Sequence, residues 1–220
     1  NPNSEQIETP DGLSRTIVIA QDADILSLDP HGHNSIVSGN VTRMLYDTLI
    51  RIDENNEFVP MLAESWEYLD KNTVQIKLRA NVPFHDGHIL TSEDVKFSLE
   101  REMQSSFSQH LLAMITEIEI IDELTLNLHV TDDSAALLSS LAHQCSSIIP
   151  KEYTEQLEAE GKSLSDSPCG TGPYKLDHWT IGTECEIVRF DDYYDEAYAA
   201  KNAGLRFVYI AEDSSRVIAL

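Results

Sequence analysis

The chain has 220 residues, 38 of them acidic and 15 basic, for a formal charge of −23. A field of that sign repels nucleic acid and anionic lipid, and the longest apolar runs, at residues 134–142 and 146–150, fall far short of the roughly 20 residues that a membrane-spanning helix needs. With 41% hydrophobic residues, the chain carries enough apolar surface for one good core or two small ones.

Residues 1–12 are polar, carry Pro2, Pro10 and Gly12, and read as a tether. Thr16-Ile17-Val18-Ile19-Ala20 is a β-branched apolar run that predicts a buried strand, followed by a turn at Asp29-Pro30. Over residues 35–49, Val37, Val41, Met44, Leu45 and Leu49 fall on one helical face. Val74, Ile76 and Leu78 alternate with polar neighbours, as do Leu124, Leu126, Leu128 and Val130, which predicts two half-buried antiparallel strands. Between them Thr91 caps a helix with Glu93 and Asp94 in its first turn and Val95, Leu99 and Met103 as its buried stripe. Residues 135–142 and 151–160 read as short helices, with Gly161 ending the second and a polar loop at 163–168. Residues 174–179 and 184–190 form a hairpin around Gly182, residues 205–210 another strand, and Asp213 or Ser214 caps a final helix.

Cys145, Cys169 and Cys185 are an odd set without Cys-x-x-Cys spacing, which argues against a zinc knuckle or a thioredoxin-like site. Three buried thiols are the expected state, with a Cys169–Cys185 bridge as the alternative. His31-Gly32-His33 and His85-Asp86-Gly87-His88 are the metal candidates, but no local pattern supplies a third and fourth ligand, so both are read as turn-stabilising. No Gly-x-Ser-x-Gly elbow is present. Gly170-Thr171-Gly172-Pro173 lacks the Gly-Lys-Ser/Thr ending of a phosphate loop, and Pro173 removes a backbone donor. The acidic run at Asp191, Asp192, Asp195 and Glu196 lacks the spacing of a calcium loop and reads as a solvated turn.

Five segments occur in a fixed order: Leu28-Asp29-Pro30-His31, Leu62-Ala63-Glu64-Ser65-Trp66-Glu67, Phe84-His85-Asp86-Gly87, Leu90-Thr91-Ser92-Glu93-Asp94-Val95-Lys96-Phe97-Ser98, and Gly170-Thr171-Gly172-Pro173-Tyr174. The series resembles the N-terminal half of the peptide/nickel family of extracytoplasmic solute-binding proteins, the receptors that feed ABC importers. The resemblance implies an α/β fold, the first lobe of a type II periplasmic-binding-protein-like fold with an inserted α+β domain, the second lobe being absent from this chain. It assigns residues 13–50 and 168–220 to a discontinuous first lobe, and residues 51–167 to the insert, with Trp66 as a buried anchor. Tyr193-Tyr194-Asp195 departs from the Tyr-Trp-Gly that the family often carries.

The resemblance also implies a receptor with no catalytic residues, metal or cofactor, whose ligand is a peptide or other small solute. Its partners would be ABC permease subunits, and its location extracytoplasmic, in the periplasm or as a lipoprotein held only by a lipid anchor outside this chain. The ligand loop maps to His33, Asn34, Ser35 and Ile36, with the backbone of Asn34 to Ile36 open to pair with an extended peptide. Main-chain pairing suits a receptor of many peptides, because it is independent of their side chains. Phe107 maps to an aromatic that the insert brings into the cleft. Two other readings are a receptor of the same fold for a nickel chelate, haem or another small solute, and a secreted metal-dependent hydrolase built on His31, His33, His85 and His88.

Overall fold

Strands from the two ends of the chain share one mixed sheet in the computed structural model, which describes residues 14–131 and 135–212. β1 (Thr16–Gln21) runs parallel to β10 (Gly204–Tyr209), β10 pairs antiparallel with β9 (Glu184–Arg189), and β9 with β8 (Tyr174–Thr180). Gly182, at φ +75°, supplies the left-handed residue of the β8–β9 turn. β1 is an edge strand rather than the buried one expected: Ile17 and Val18 are 51% and 50% exposed, because β10 covers it on one side only. The tether at residues 1–12 and the helix capped by Asp213 or Ser214 lie outside the described residues.

α1 (Ile36–Leu45) packs beside this sheet, its Val41 and Leu45 fully buried in a cluster with Tyr174, Ile187 and Phe207. Ser35 caps it, its hydroxyl accepting from the Ser38 N–H. The helix stops four residues short of the predicted end. Gly172 N–H donates to the Leu45 carbonyl at 3.0 Å, Tyr46 turns to extended backbone, and Leu49 and Ile50 are sent into a second core.

That second core lies under an antiparallel sheet in the order β4 (Ala63–Asp70), β5 (Thr73–Leu78), β7 (Thr125–Val130), β6 (Ile115–Asp122). β2 (Ile50–Ile52) and β3 (Phe58–Pro60) form a small ribbon beside it. β5 and β7, the two alternating segments of the sequence, are the central pair, while β4 and β6 have no counterpart in the sequence reading. Trp66 on β4 is half-buried against this core rather than fully enclosed.

α2 (Ser92–Glu102) closes the core with Val95 and Leu99, and α3 (Leu137–Leu141) adds Leu137 and Leu141. At the start of α2, the Thr91 N–H and Oγ1–H both donate to Asp94 Oδ2 at 2.9 Å. The other oxygen of Asp94 accepts from the Lys151 N–H, which fixes α4 (Lys151–Ala159) against α2. Thr91→Ala is therefore expected to cost about 1 kcal/mol, and a melting curve unchanged by it would remove Thr91 from the cap. α4 ends at Gly161 in the left-handed region, and its Leu157, with Leu164, packs into the α1 cluster. All three cysteines are free and buried.

Candidate functional site

The loop between β1 and α1 is held by side chains from distant parts of the chain. Asp29 folds back on its own turn, its Oδ1 accepting from the His31 N–H at 3.0 Å, and is 5% exposed. A carboxylate this buried requires a partner, and Arg101 on the last turn of α2 supplies it, with Nη2 at 2.7 Å from Oδ2 and Nη1 at 3.0 Å from Oδ1. Burial pushes the Asp29 pKa up, but the Arg101 hydrogen bonds and charge outweigh it and leave it below the ordinary value.

His31 completes the joint. Its Nδ1 accepts from Arg101 Nη1 and its Nε2–H donates to the Ser147 carbonyl, both at 3.0 Å, so both ring nitrogens are occupied in the neutral form. Burial depresses its pKa to about 4. The His31 carbonyl accepts from Ser105 Oγ at 2.7 Å, and the same hydroxyl accepts from the Phe107 N–H at 3.1 Å. Ser105 thus brings the Phe107 segment up against the loop. Phe107 itself is 50% exposed, and a cavity of about 330 Å³ lies between the two segments.

Beyond this joint the loop emerges. His33 is buried, its Nδ1 accepting from the Ser35 N–H and its carbonyl from Cys145 Sγ. Asn34 is exposed and Ile36 is 82% exposed. Both lie outside the sheets. The backbone of Ser35 is not open as expected: its N–H is taken by His33 and its carbonyl accepts from Gly39 N–H in the first turn of α1.

His85 works through a different segment than its own turn. Its N–H donates to the Gly170 carbonyl at 2.8 Å, its Nδ1 accepts from Gly170 N–H, and its Nε2–H donates to the Gly172 carbonyl. Burial pushes its pKa down to about 4. This staple presses Gly172 against α1, where an added Cβ would lie 2.5 Å from the Leu45 carbonyl carbon and the Met44 oxygen. Backbone cannot yield to that contact as a flexible side chain would. Gly172→Ala is expected to cost about 1–3 kcal/mol, and a variant melting like the parent would contradict the close approach.

Sequence reasoning singled out the loop residues and Phe107 but missed Arg101, Ser105 and Ser147, which hold them. Asp29 stood within a quoted segment, yet nothing local marked it as half of an ion pair. His31, His33, His85 and His88 do not converge; among the described residues no group of three or more metal-binding side chains is found.

Comparison with known proteins identifies the family and the fold. Residues 57–220 match the family described as bacterial extracellular solute-binding proteins, family 5 Middle. The glutathione-binding protein GsiB of Pectobacterium atrosepticum is 28% identical over 192 residues, covering 86% of this chain and 37% of its own length. The ABC transporter-associated periplasmic binding protein DppA from Helicobacter pylori, solved with the peptide STSA, superposes with a TM-score of 0.87 at 27% identity, covering 96% of this chain and 45% of that one. The binding protein AgaA of A. tumefacien R10, solved with agropinic acid, gives 0.84 at 30% identity, over 94% of this chain and 42% of that one. The chain therefore spans less than half the length of these relatives and carries the α/β architecture of the periplasmic binding proteins. It belongs to family 5 of the bacterial extracellular solute-binding proteins.

Proposed function

We propose that this chain is the first-lobe portion of an extracytoplasmic receptor that captures a peptide or small peptide-like solute and delivers it to the permease subunits of an ABC importer. It binds and does no chemistry, with no metal or cofactor of its own. In this reading residues 13–50 and 168–220 form the lobe, residues 51–167 the insert, and the receptor stands in the periplasm or on a lipid anchor outside this chain. The observation that carries it is the pair of exposed residues Asn34 and Ile36, flanking Ser35 and unpaired with any strand, on a base fixed by Asp29, His31 and Arg101. A rigid base with an open rim is what a ligand-gripping loop needs, since little ordering remains to oppose binding. Asn34, Ser35 and Ile36 meet the ligand, Phe107 packs on it from the insert, and His33 sets the shape of the loop from below.

Receptors of this kind gain affinity by closing a second lobe over the ligand. A peptide laid on Asn34 to Ile36 of this chain alone keeps much of its surface in water, so few contacts offset the several kcal/mol of association entropy, and binding is expected to be no tighter than roughly millimolar. Calorimetry of the 220-residue chain beside the full-length receptor, with one peptide pool, tests this. Micromolar binding by the 220-residue chain overturns the two-lobe account; absence of binding by both proteins overturns the peptide reading.

A further inference from the structure

Two arginines converge where α1 of the lobe meets β2 at the start of the insert. Arg43 of α1 and Arg51 of β2 both line a cavity of about 400 Å³ and an adjoining one of about 510 Å³. In a chain with 38 acidic residues against 15 basic ones, arginines are expected to be neutralised, as Arg101, Arg189 and Arg206 are by Asp29, Asp191 and Glu184. Among the described residues, no carboxylate lies within 4.0 Å of the Arg43 or Arg51 guanidinium, although the Arg51 charge is felt by Asp53 without an ion pair. The smaller cavity has no acidic residue in its wall. The larger has Asp47, which is 1% exposed and whose two oxygens are engaged by Thr171 Oγ1 and Tyr193 OH.

The arginines are also positioned. The Arg51 guanidinium carbon sits 3.4 Å from the centre of the Tyr198 ring, a stacking that fixes its plane, and its Nε is buried with no hydrogen-bond partner. Arg43 follows Ile36 and Asn40 along one exposed stripe of α1, which puts it seven residues, roughly 10 Å, from the loop end of the helix. The 3₁₀ turn Gln144–Ser146 joins the two places: Cys145 Sγ donates to the His33 carbonyl, while Gln144 lies in the space left by Gly39 and lines the arginine cavity.

Building on the receptor reading, we infer that Arg43 and Arg51 form an anion subsite, and that the ligand carries a carboxylate about 10 Å from the part held by Asn34 to Ile36, about three extended residues away. The ligand class is a short peptide or peptide-like acid with a free carboxylate. The inference runs against the field of the whole molecule, which at −23 favours cations. That opposition makes it easy to test.

The probes are trialanine with a free C-terminus and trialanine C-terminal amide, titrated into the 220-residue chain at pH 7 and followed by amide chemical shifts. The acid is expected to bind about ten-fold more tightly than the amide, the size of one good arginine–carboxylate contact. It is expected to shift signals at both Asn34 to Ile36 and Arg43. In the double variant Arg43→Gln, Arg51→Gln the acid-to-amide ratio should fall close to one. Arg43→Gln alone, at an exposed position, should lower the ratio by itself and guards against misfolding from loss of the Tyr198 stack. Equal binding of acid and amide, with shifts at Asn34 to Ile36, overturns the anion subsite and leaves the receptor reading in place. No shift at that segment with either probe overturns both.

Discussion

Arg101→Met is expected to lower stability by about 3–5 kcal/mol, a drop of roughly 6–20 °C in melting temperature. Removing the guanidinium leaves the Asp29 carboxylate, 5% exposed, with no cation, and deprives His31 Nδ1 of its donor. Losing one partner of a buried pair costs more than the pair contributes, because the remaining charge has neither water nor counterion. The double variant Asp29→Asn, Arg101→Met is therefore expected to recover part of the loss. In the parent the Asp29 pKa is lowered, so the ion pair stabilises above the ordinary value of 3.8 and is lost as pH falls through the lower folded value. In the variant burial acts unopposed by Arg101 and raises the Asp29 pKa, so the deficit is full above that raised value and shrinks as pH falls below it. An Arg101→Met protein that melts within about 1 °C of the parent at pH 7 would show that the joint between α2 and the loop carries no weight.

The consequence reaches the site, because the same guanidinium positions the turn from which Asn34 to Ile36 emerges. None of this was visible locally. Arg101 lies 72 residues from Asp29, and on the flank of an amphipathic helix it reads as an ordinary solvated charge. Phe107 and the loop were singled out only by their position in the family that the chain resembles, whereas the hydroxyl of Ser105 that joins them has no sequence signature.

Periodicity found the elements that have one buried face. β5 and β7 lie in the middle of their sheet, where every second apolar side chain enters the core, though in β7 the intervening Asn127 is buried too. β4 and β6 are its two edges. β4 buries only Ala63 fully, and a register shift between Ile115 and Glu117 breaks the period of two in β6. The same edge effect explains β1, whose apolar composition suggested burial that a single neighbouring strand does not provide. α1 was overextended because Leu49 keeps the helical spacing by coincidence. The chain leaves the helix at Tyr46, when Gly172, 126 positions later, takes up the Leu45 carbonyl.

Glu102→Gln is expected to be more stable than the parent at pH 8 and nearly equal to it at pH 5. Glu102 ends α2 with its side chain fully buried, and neither carboxyl oxygen has a hydrogen-bond partner among the described residues. The Ser108 and Ser146 hydroxyls and the Cys145 thiol face it, and none carries a positive charge. Burial pushes its pKa from 4.5 up to about 7, only weakly opposed by the two serines. A carboxyl raised in this way contributes stability that is complete below pH 4.5 and lost as pH rises through about 7. The span corresponds to about 3 kcal/mol, or roughly 6–12 °C in melting temperature for a chain of this size. Asp47, also raised to about 7, changes stability in the same direction, while His31 and His85, lowered to about 4, act oppositely between that value and 6.5. The pH profile of the parent alone therefore mixes these groups. The difference between Glu102→Gln and the parent cancels them, because the other groups are common to both proteins. Melting curves of the two proteins at half-unit steps from pH 5 to pH 8 should diverge as pH rises towards about 7 and run at a constant separation above it. A constant offset across that range would mean that Glu102 keeps its charge at neutral pH, and the account of an isolated buried carboxyl beneath the loop before α1 would fall.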